Sequence, residues 1–346
     1  MPSATRIPAL PTFVNRKLYK TGQTRGADKK QIYQNRVSRN STVLIPWADW
    51  AACKEPAPGE YYENGFIVLV QPSWYFETPN ADSILASEQI ELGVNALLFY
   101  QKRVDWNAYD FRGSCLPNGK QFKAAKNRQG NLDGVYAARI HATTAIGGVS
   151  AVVEGYDQTD SRGAGIRVYE YASVRSLEET RLQLEALLWL CVDSIEALVD
   201  AGMERAKAEA RRADQLTKAS DTGLLDFERL RSIRMIDAEN VTVCPLCLLH
   251  IPAADYLKLT VQAEGREVED LTTTEVSLFH IQELRVGKLE HRAYNLGWGH
   301  HFCNVVVKDA GLIPTLRWMK GVLDNNGDSW EDIEDAEQSV EKGVGD

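Results

Sequence analysis

No apolar run in this chain reaches membrane-spanning length, and its start, MPSATRIPALP, lacks the build of a secretory signal. The expectation is a cytoplasmic protein with no membrane partner. Cysteine is scarce, with six in 346 residues, two of them in a CxxC. That argues against a disulfide framework and for zinc in a reducing compartment. Internal repeats are absent. Positive charge is in deficit: 39 Lys and Arg stand against 48 Asp and Glu, a net charge of −9. Taken alone, that balance speaks against a phosphate-rich partner. What is there is ordinary, 44% hydrophobic and 25% charged, with length for two or three domains.

The distribution of charge reverses the first impression. Residues 1–42 carry Arg6, Arg16, Lys17, Lys20, Arg25, Lys29, Lys30, Arg36 and Arg39 against the single acid Asp28. Such a segment either neutralises phosphates or is a solvated arm. Its Gln, Asn and Arg side chains suit base edges, and its Lys, Thr and Ser suit the backbone. A second basic stretch, KQFKAAKNR from Lys120 to Arg128, adds Lys123 and Lys126 beside a turn signal. It too is either a phosphate-contacting loop or an exposed polar one. The far end is the opposite: Asp324 to Asp346 holds nine acids and one lysine and reads as a disordered tail.

Chemistry concentrates between Cys244 and Trp318. Cys244 and Cys247 are three apart, and so are His300 and Cys303. Two such half-sites can close one tetrahedral zinc site, with Pro245 shaping the first turn. His301 adjoins His300, and the spacing to Cys303 favours His300. His250, just after the first knuckle, is a reserve ligand.

Within that loop lie His280, Asn295 and Asn304. Here the sequence resembles the HNH, or ββα-metal, nucleases. Their pattern is a His ending a first strand, an Asn some fifteen residues on, and a His or Asn at the start of the following helix. Zinc-stapled members carry a second knuckle between the last two, where His300 and Cys303 fall. The wording of the N-terminal segment together with this motif is similar to type II restriction endonucleases of the BstXI kind.

The resemblance implies roles. His280 would be the general base, since a neutral imidazole accepts a proton near pH 7. Asn304 would hold a hydrated Mg²⁺. Asn295 would pin the loop and orient His280. It further implies a site-specific endonuclease on double-stranded DNA, part of a restriction-modification pair, with structural Zn²⁺ and catalytic Mg²⁺. A homodimer is expected, because a palindromic site suits twofold symmetry. One departure stands out: Phe279 occupies the place where many relatives have an Asp or His ligand. Either Asn304 holds the ion alone, or Gln282, Glu283 or Asp309 helps. The alternative is a zinc-knuckle DNA-binding or scaffold protein with a degenerate nuclease centre. An RNA-directed or structure-selective nuclease is a third reading. No convincing pairing of acids and lysine of the PD-(D/E)xK kind competes.

The chain pass gives an α+β expectation: a mixed α/β recognition region over 1–174, a helical, possible dimerisation segment over 175–235, a zinc-bound module over 236–323 and the tail over 324–346. Val43–Pro46, Gly65–Val70, Val135–His141, Val149–Glu154 and Ile166–Tyr171 read as strands, and Ser83–Tyr100 as a helix passing into a strand. Trp47, Trp50 and Trp74 crowd one region, as core or as base-stacking platforms. Ser176 to Glu179 reads as a capping box. It opens a helix that could continue through Glu204–Arg212. Its apolar stripe either packs within the chain or forms the dimer interface. Leu224–Met235 reads as a short amphipathic helix. Gly311 and Pro314 should split the last helix, with Leu316, Met319 and Val322 facing inward.

Overall fold

The computed structural model describes residues 7–19, 42–127, 131–138, 140, 152, 154–155, 166–261, 269–308 and 310–327. The chain divides into two compact units. One takes residues 38–178 and 285–292; the other takes 1–37, 179–284 and 293–346. The helices of the 175–235 segment therefore form no separate body, and nearly all of them share a unit with the cysteine-rich region. Helix α1 (Thr12–Tyr19) belongs to that same unit.

The 38–178 unit is built on a parallel sheet. Its elements are β1 (Val43–Pro46), α2 (Trp50–Cys53), β2 (Phe66–Val70), α3 (Pro72–Glu77), α4 (Ala81–Ser87), β3 (Ala96–Tyr100), α5 (Arg103–Ala108), β4 (Tyr136–Ala138) and β5 (Ile166–Arg167). The strand order is β4-β3-β2-β1-β5, with every pairing parallel. Parallel strands are covered on both faces, so their sequences run apolar without alternation. The strands here do so. Val43, Ile45, Val68, Val70, Leu98 and Tyr100 feed one core, while Ile67, Leu97 and Ala137 feed another. Strand β5 is shorter than expected and passes into a 3₁₀ turn at Val168–Glu170. The expected strand over 149–154 falls mostly outside the described residues, as does His141.

The other unit is mainly helical: α6 (Val174–Trp189), α7 (Ser194–Asp200), α8 (Arg205–Asp221) and α9 (Phe227–Ser232). The expectation of one long helix is corrected here. Thr242 ends α6 by donating its hydroxyl to the Leu187 carbonyl at 2.5 Å and its amide to the Leu190 carbonyl at 3.2 Å. Gly202, at φ +96°, separates α7 from α8. The capping residue also differs: the helix starts earlier, and Ser173 Oγ accepts from the Ser176 amide at 3.2 Å. Leu184, Leu187, Leu188 and Trp189 of α6 are buried in a core that also takes Leu10, Val14 and Leu18 of α1. The apolar stripe thus packs within its own chain. A paired ion bridge ties α6 to α8, with Arg211 Nε and Nη2 donating to the two Glu185 oxygens at 2.6 and 2.9 Å.

Among the described residues, two antiparallel strand pairs, a 3₁₀ helix at Ala253–Tyr256 and two further α-helices follow. Strand β6 (Leu259–Val261) pairs with β7 (Glu269–Thr274). Strand β8 (Val276–His280) pairs with β9 (Leu296–His300), and α10 (His301–Val307) and α11 (Leu312–Asn326) follow. The helix is split before α11, as expected, with Gly311 as the N-cap of α11, but Pro314 sits inside the first turn of α11 and does not break it. Leu316 and Met319 pack on the core together with the buried Leu312 and Thr315, while Val322, farther along α11, is exposed. No described helix is long and apolar enough to cross a membrane.

Candidate active site and metal centre

The first knuckle forms because the chain doubles back tightly. Val243 bridges His250, the Cys244 amide donates to the Leu249 carbonyl at 2.9 Å, and the Leu248 amide donates to the Cys244 carbonyl at 2.8 Å. Leu248 takes a left-handed conformation, φ 64°, to close the turn. The second half-site sits where β9 becomes α10: His300 ends the strand and Cys303 lies in the helix's first turn.

The two halves meet. The ligand atoms of Cys244, Cys247, His300 and Cys303 all lie within 4.8 Å of one another, and Cys247 Sγ is 3.3 Å from His300 Nδ1. A tetrahedron with zinc–ligand bonds of about 2.0–2.3 Å has edges of roughly 3.3–3.8 Å. A small side-chain adjustment closes the difference, so the donor set fits zinc. Burial, then the neighbouring Cys244 and Cys247 sulfurs, push the Cys303 thiol well above its usual value. Crowded thiols resist ionising together, and a bound cation is what relieves that. The reserve ligand is engaged elsewhere: His250 Nε2 lies 2.6 Å from Asp237 Oδ2. His301 is outside the cluster. Among the described residues this is the one group of three or more potential metal-binding side chains of the His, Cys, Asp and Glu types.

His280, Asn295 and Asn304 all belong to the hairpin and the helix packed on it. His280 is the last residue of β8 and is half-buried. Asn295 immediately precedes β9 and is fully buried. Its Oδ1 accepts from the Gln282 amide at 2.7 Å, and its carbonyl accepts from the Ile281 amide at 3.0 Å. The turn leaving His280 is thereby fastened to the start of β9. Helix α10 packs against both strands and carries Asn304. The Asn304 side chain makes no hydrogen bond among the described residues and is half-exposed, so its amide oxygen is available to a ligand.

Phe279 points the other way. It is fully buried, and a Cβ placed on Gly299 would come within 2.5 Å of its ring. Successive strand residues face opposite sides, so positions 279 and 280 lie on opposite faces of β8. The return of the chain is equally close: Gly311, at φ +81°, leaves 2.7 Å between an added Cβ and the Glu283 amide. Only glycine meets both demands. Of the other candidate oxygens, Gln282 is exposed, Glu283 is half-buried, and Asp309 lies outside the described residues.

The hairpin is held from α6 by residues the sequence did not mark as important. Gln183 Oε1 accepts from the Tyr294 amide at 2.6 Å while its Nε2 donates to the Leu224 carbonyl at 2.8 Å. Trp298 Nε1 donates to the Leu184 carbonyl at 2.8 Å. A polar Gln183 inside an apolar stripe was the one available signal.

The basic residues separate into three groups. Lys20, Arg25, Lys29, Lys30, Arg36 and Arg39 lie outside the described residues. Lys123 and Lys126 are exposed in a loop of the 38–178 unit and both face Asp133. Lys17 is a correction. It is 1% exposed, and its ammonium donates to the Tyr256 carbonyl at 3.2 Å, the Val276 carbonyl at 2.5 Å and the Thr274 hydroxyl. It also sits over the Tyr256 and Trp298 rings at 5.0 and 6.0 Å. Burial drives its pKa well below the ordinary lysine value. A lysine so enclosed fastens α1 to the base of β8 and reaches no phosphate. His291 is likewise buried, in the 38–178 unit.

The family model described as BstXI restriction endonuclease matches residues 16–301. No curated protein matches the chain. One solved structure, described as the crystal structure of a type II restriction endonuclease, aligns at 15% identity over 46% of this chain with a TM-score of 0.28. The chain covers 58% of that structure, less than two thirds of its length.

Proposed function

Because the chain belongs to the BstXI restriction endonuclease family, we propose that it is a type II, site-specific, metal-dependent endonuclease of double-stranded DNA, with an HNH centre. The observation that carries this reading is the hairpin and helix of β8, β9 and α10. His280 ends its first strand, a buried Asn295 fastens the turn beyond, and Asn304 is the fourth residue of its helix, beside a Cys₃His cluster.

In this reading His280 takes the proton from the attacking water, and Asn295 keeps the His280 turn in place. Asn304 offers its amide oxygen to Mg²⁺, which when bound would stabilise charge on the scissile phosphate. Cys244, Cys247, His300 and Cys303 hold Zn²⁺ as a staple at the junction of β9 and α10. Lys123, Lys126 and the basic residues between Lys20 and Arg39 contact DNA phosphates. A homodimer would supply two centres for two strands. A doubled mass by light scattering, alone or with DNA, is the expected result, and a monomer under both conditions would remove that part.

Plasmid DNA with Mg²⁺, and with EDTA as control, tests the activity. Discrete fragments that vanish with EDTA are expected. A smear would favour an unspecific nuclease. Binding without any cleavage would favour the second reading, a DNA-binding scaffold with a dead centre, to which the buried Phe279 lends support.

A further inference from the structure

A cleft of about 520 Å³ opens in the 38–178 unit, walled by Trp47, Trp50, Trp74 and Ile84 with Gln71 and Glu88 at its rim. Its place in the sheet is informative. Trp47 follows the last residue of β1, and Gln71 follows the last residue of β2. The cleft is therefore at the carboxyl ends of parallel strands, and β1 flanks the point where strand order reverses toward β5. Open parallel sheets carry their ligands at that edge.

The chemistry of the lining narrows the ligand. Trp47 and Trp74 are half-buried, with ring centroids 5.1 Å apart and planes at 53°. They form an open wedge and not a closed stack, so a flat ring can lie against one of them. Glu88 argues against a phosphate. Lys54 Nζ and Trp50 Nε1 both donate to its Oε2, at 3.0 and 3.1 Å. Its Oε1 accepts no hydrogen bond among the described residues. The Lys54 and Trp50 contacts hold its carboxyl below the usual range, so it is an ionised acceptor at neutral pH. Gln71 adds one more acceptor and a donor, in an exposed position. A flat apolar ring carrying an amino group meets all of these demands; a bare anion meets none.

We propose that this cleft receives an unstacked nucleobase of DNA, stacked on the Trp47–Trp74 wedge, with its exocyclic amine donating to Glu88. The proposal rests on the DNA-directed reading above. Cytosine is the favoured occupant, since its amine pairs naturally with a carboxylate, and thymine, which has no such amine, is disfavoured.

The test uses the full chain and fluorescein-labelled single strands of oligo(dC) and oligo(dT) at one ionic strength, because backbone charge is then common to both. Anisotropy gives affinity, and tryptophan emission reports stacking. Oligo(dC) should bind more tightly than oligo(dT) and quench the emission. Trp74→Ala should weaken oligo(dC) about tenfold, within the range seen for lost base–aromatic stacking. Trp74→Phe should restore most of that loss, which a merely structural role would not require. Glu88→Gln should narrow the difference between the two strands. Equal affinities for wild type and both Trp47→Ala and Trp74→Ala, with melting unchanged, would overturn the proposal. Two further probes identify the source. A duplex with cytosine opposite an abasic site should bind better than the intact duplex. Competition by free deoxycytidine monophosphate without that gain would overturn the assignment to DNA. Plasmid cleavage is followed in parallel. A protein that shows the base effect but cuts nothing loses the endonuclease reading and keeps the cleft. An enzyme that cuts and is indifferent to Trp74 loses the cleft alone.

Discussion

Asn295 Oδ1 accepts a hydrogen bond from the Gln282 amide at 2.7 Å, two residues beyond His280. The bond crosses from the start of β9 to the end of β8, so one buried amide fixes where the proposed base sits. Asn295→Ala should leave the Gln282 N–H without this acceptor, at a cost of about 1–3 kcal/mol. Asn295→Asp keeps an acceptor oxygen but introduces a charge in a fully buried place. Thermal melts beside single-turnover cleavage check this. Both variants should lose cleavage by more than their loss of stability explains. A rate that merely tracks the fraction folded would make Asn295 a structural residue only.

The Cys₃His cluster, read as a zinc site, gives a second prediction. Structural zinc in small modules contributes about 10–16 kcal/mol of apparent binding free energy. Cys247→Ser should therefore lower the zinc content from one ion per chain and loosen the junction of β9 and α10. Chelator treatment of the wild type should have the same effect on melting. Soluble, folded wild-type protein without zinc, by elemental analysis, would dismiss the assignment.

How much of this was legible differs from place to place. The two half-sites were readable because a knuckle is local, and its spacing survives in sequence. The parallel strands were readable as apolar runs, although their order was not, since pairing is a long-range matter. The helix break after Trp189 was hidden, because Thr242, more than fifty residues away, intercepts the Leu187 and Leu190 carbonyls. Lys17 misled for a related reason. It was read with the basic residues of 1–42, while its neighbours in space are carbonyls and rings from Tyr256 to Trp298. Phe279 could be named from sequence as the departure, but only the strand geometry shows that its side chain faces the core.

Lys17 yields a pH prediction whose sign follows from burial. Its folded pKa lies well below the ordinary lysine value, so the unfolded chain binds the extra proton in the window between. Stability is then highest above the ordinary lysine pKa and is lost as pH falls from there toward the lowered folded value. Lys17→Met removes this linkage. Urea midpoints measured from about pH 7 to about pH 9.5, approaching the usual lysine range, should rise for wild type relative to the variant. Parallel curves over that range would show that Lys17 stays protonated in the fold, held by its acceptors.

The last prediction concerns the proposed centre itself. His280→Ala should abolish most cleavage while leaving DNA affinity nearly unchanged. The imidazole acts on water and not on the duplex, so its loss removes transition-state stabilisation and spares ground-state binding. General-base catalysis is typically worth about 10²–10⁴-fold. Asn304→Ala should fall in the same direction but recover partly as Mg²⁺ is raised, since a weakened site refills by mass action. Phe279→Asp is the informative converse. In relatives of the resembling class an acid at that place binds metal, but here the side chain is fully buried on the core side of β8. The substitution should therefore bury an unpaired charge and cost several kcal/mol of stability, without tightening the Mg²⁺ response. Gel-shift affinity, single-turnover rate against Mg²⁺ concentration, and melting temperature for each variant decide the matter. If His280→Ala cuts at the wild-type rate, the base is elsewhere; if Phe279→Asp melts like wild type and needs less Mg²⁺, the strand can turn that position toward the metal.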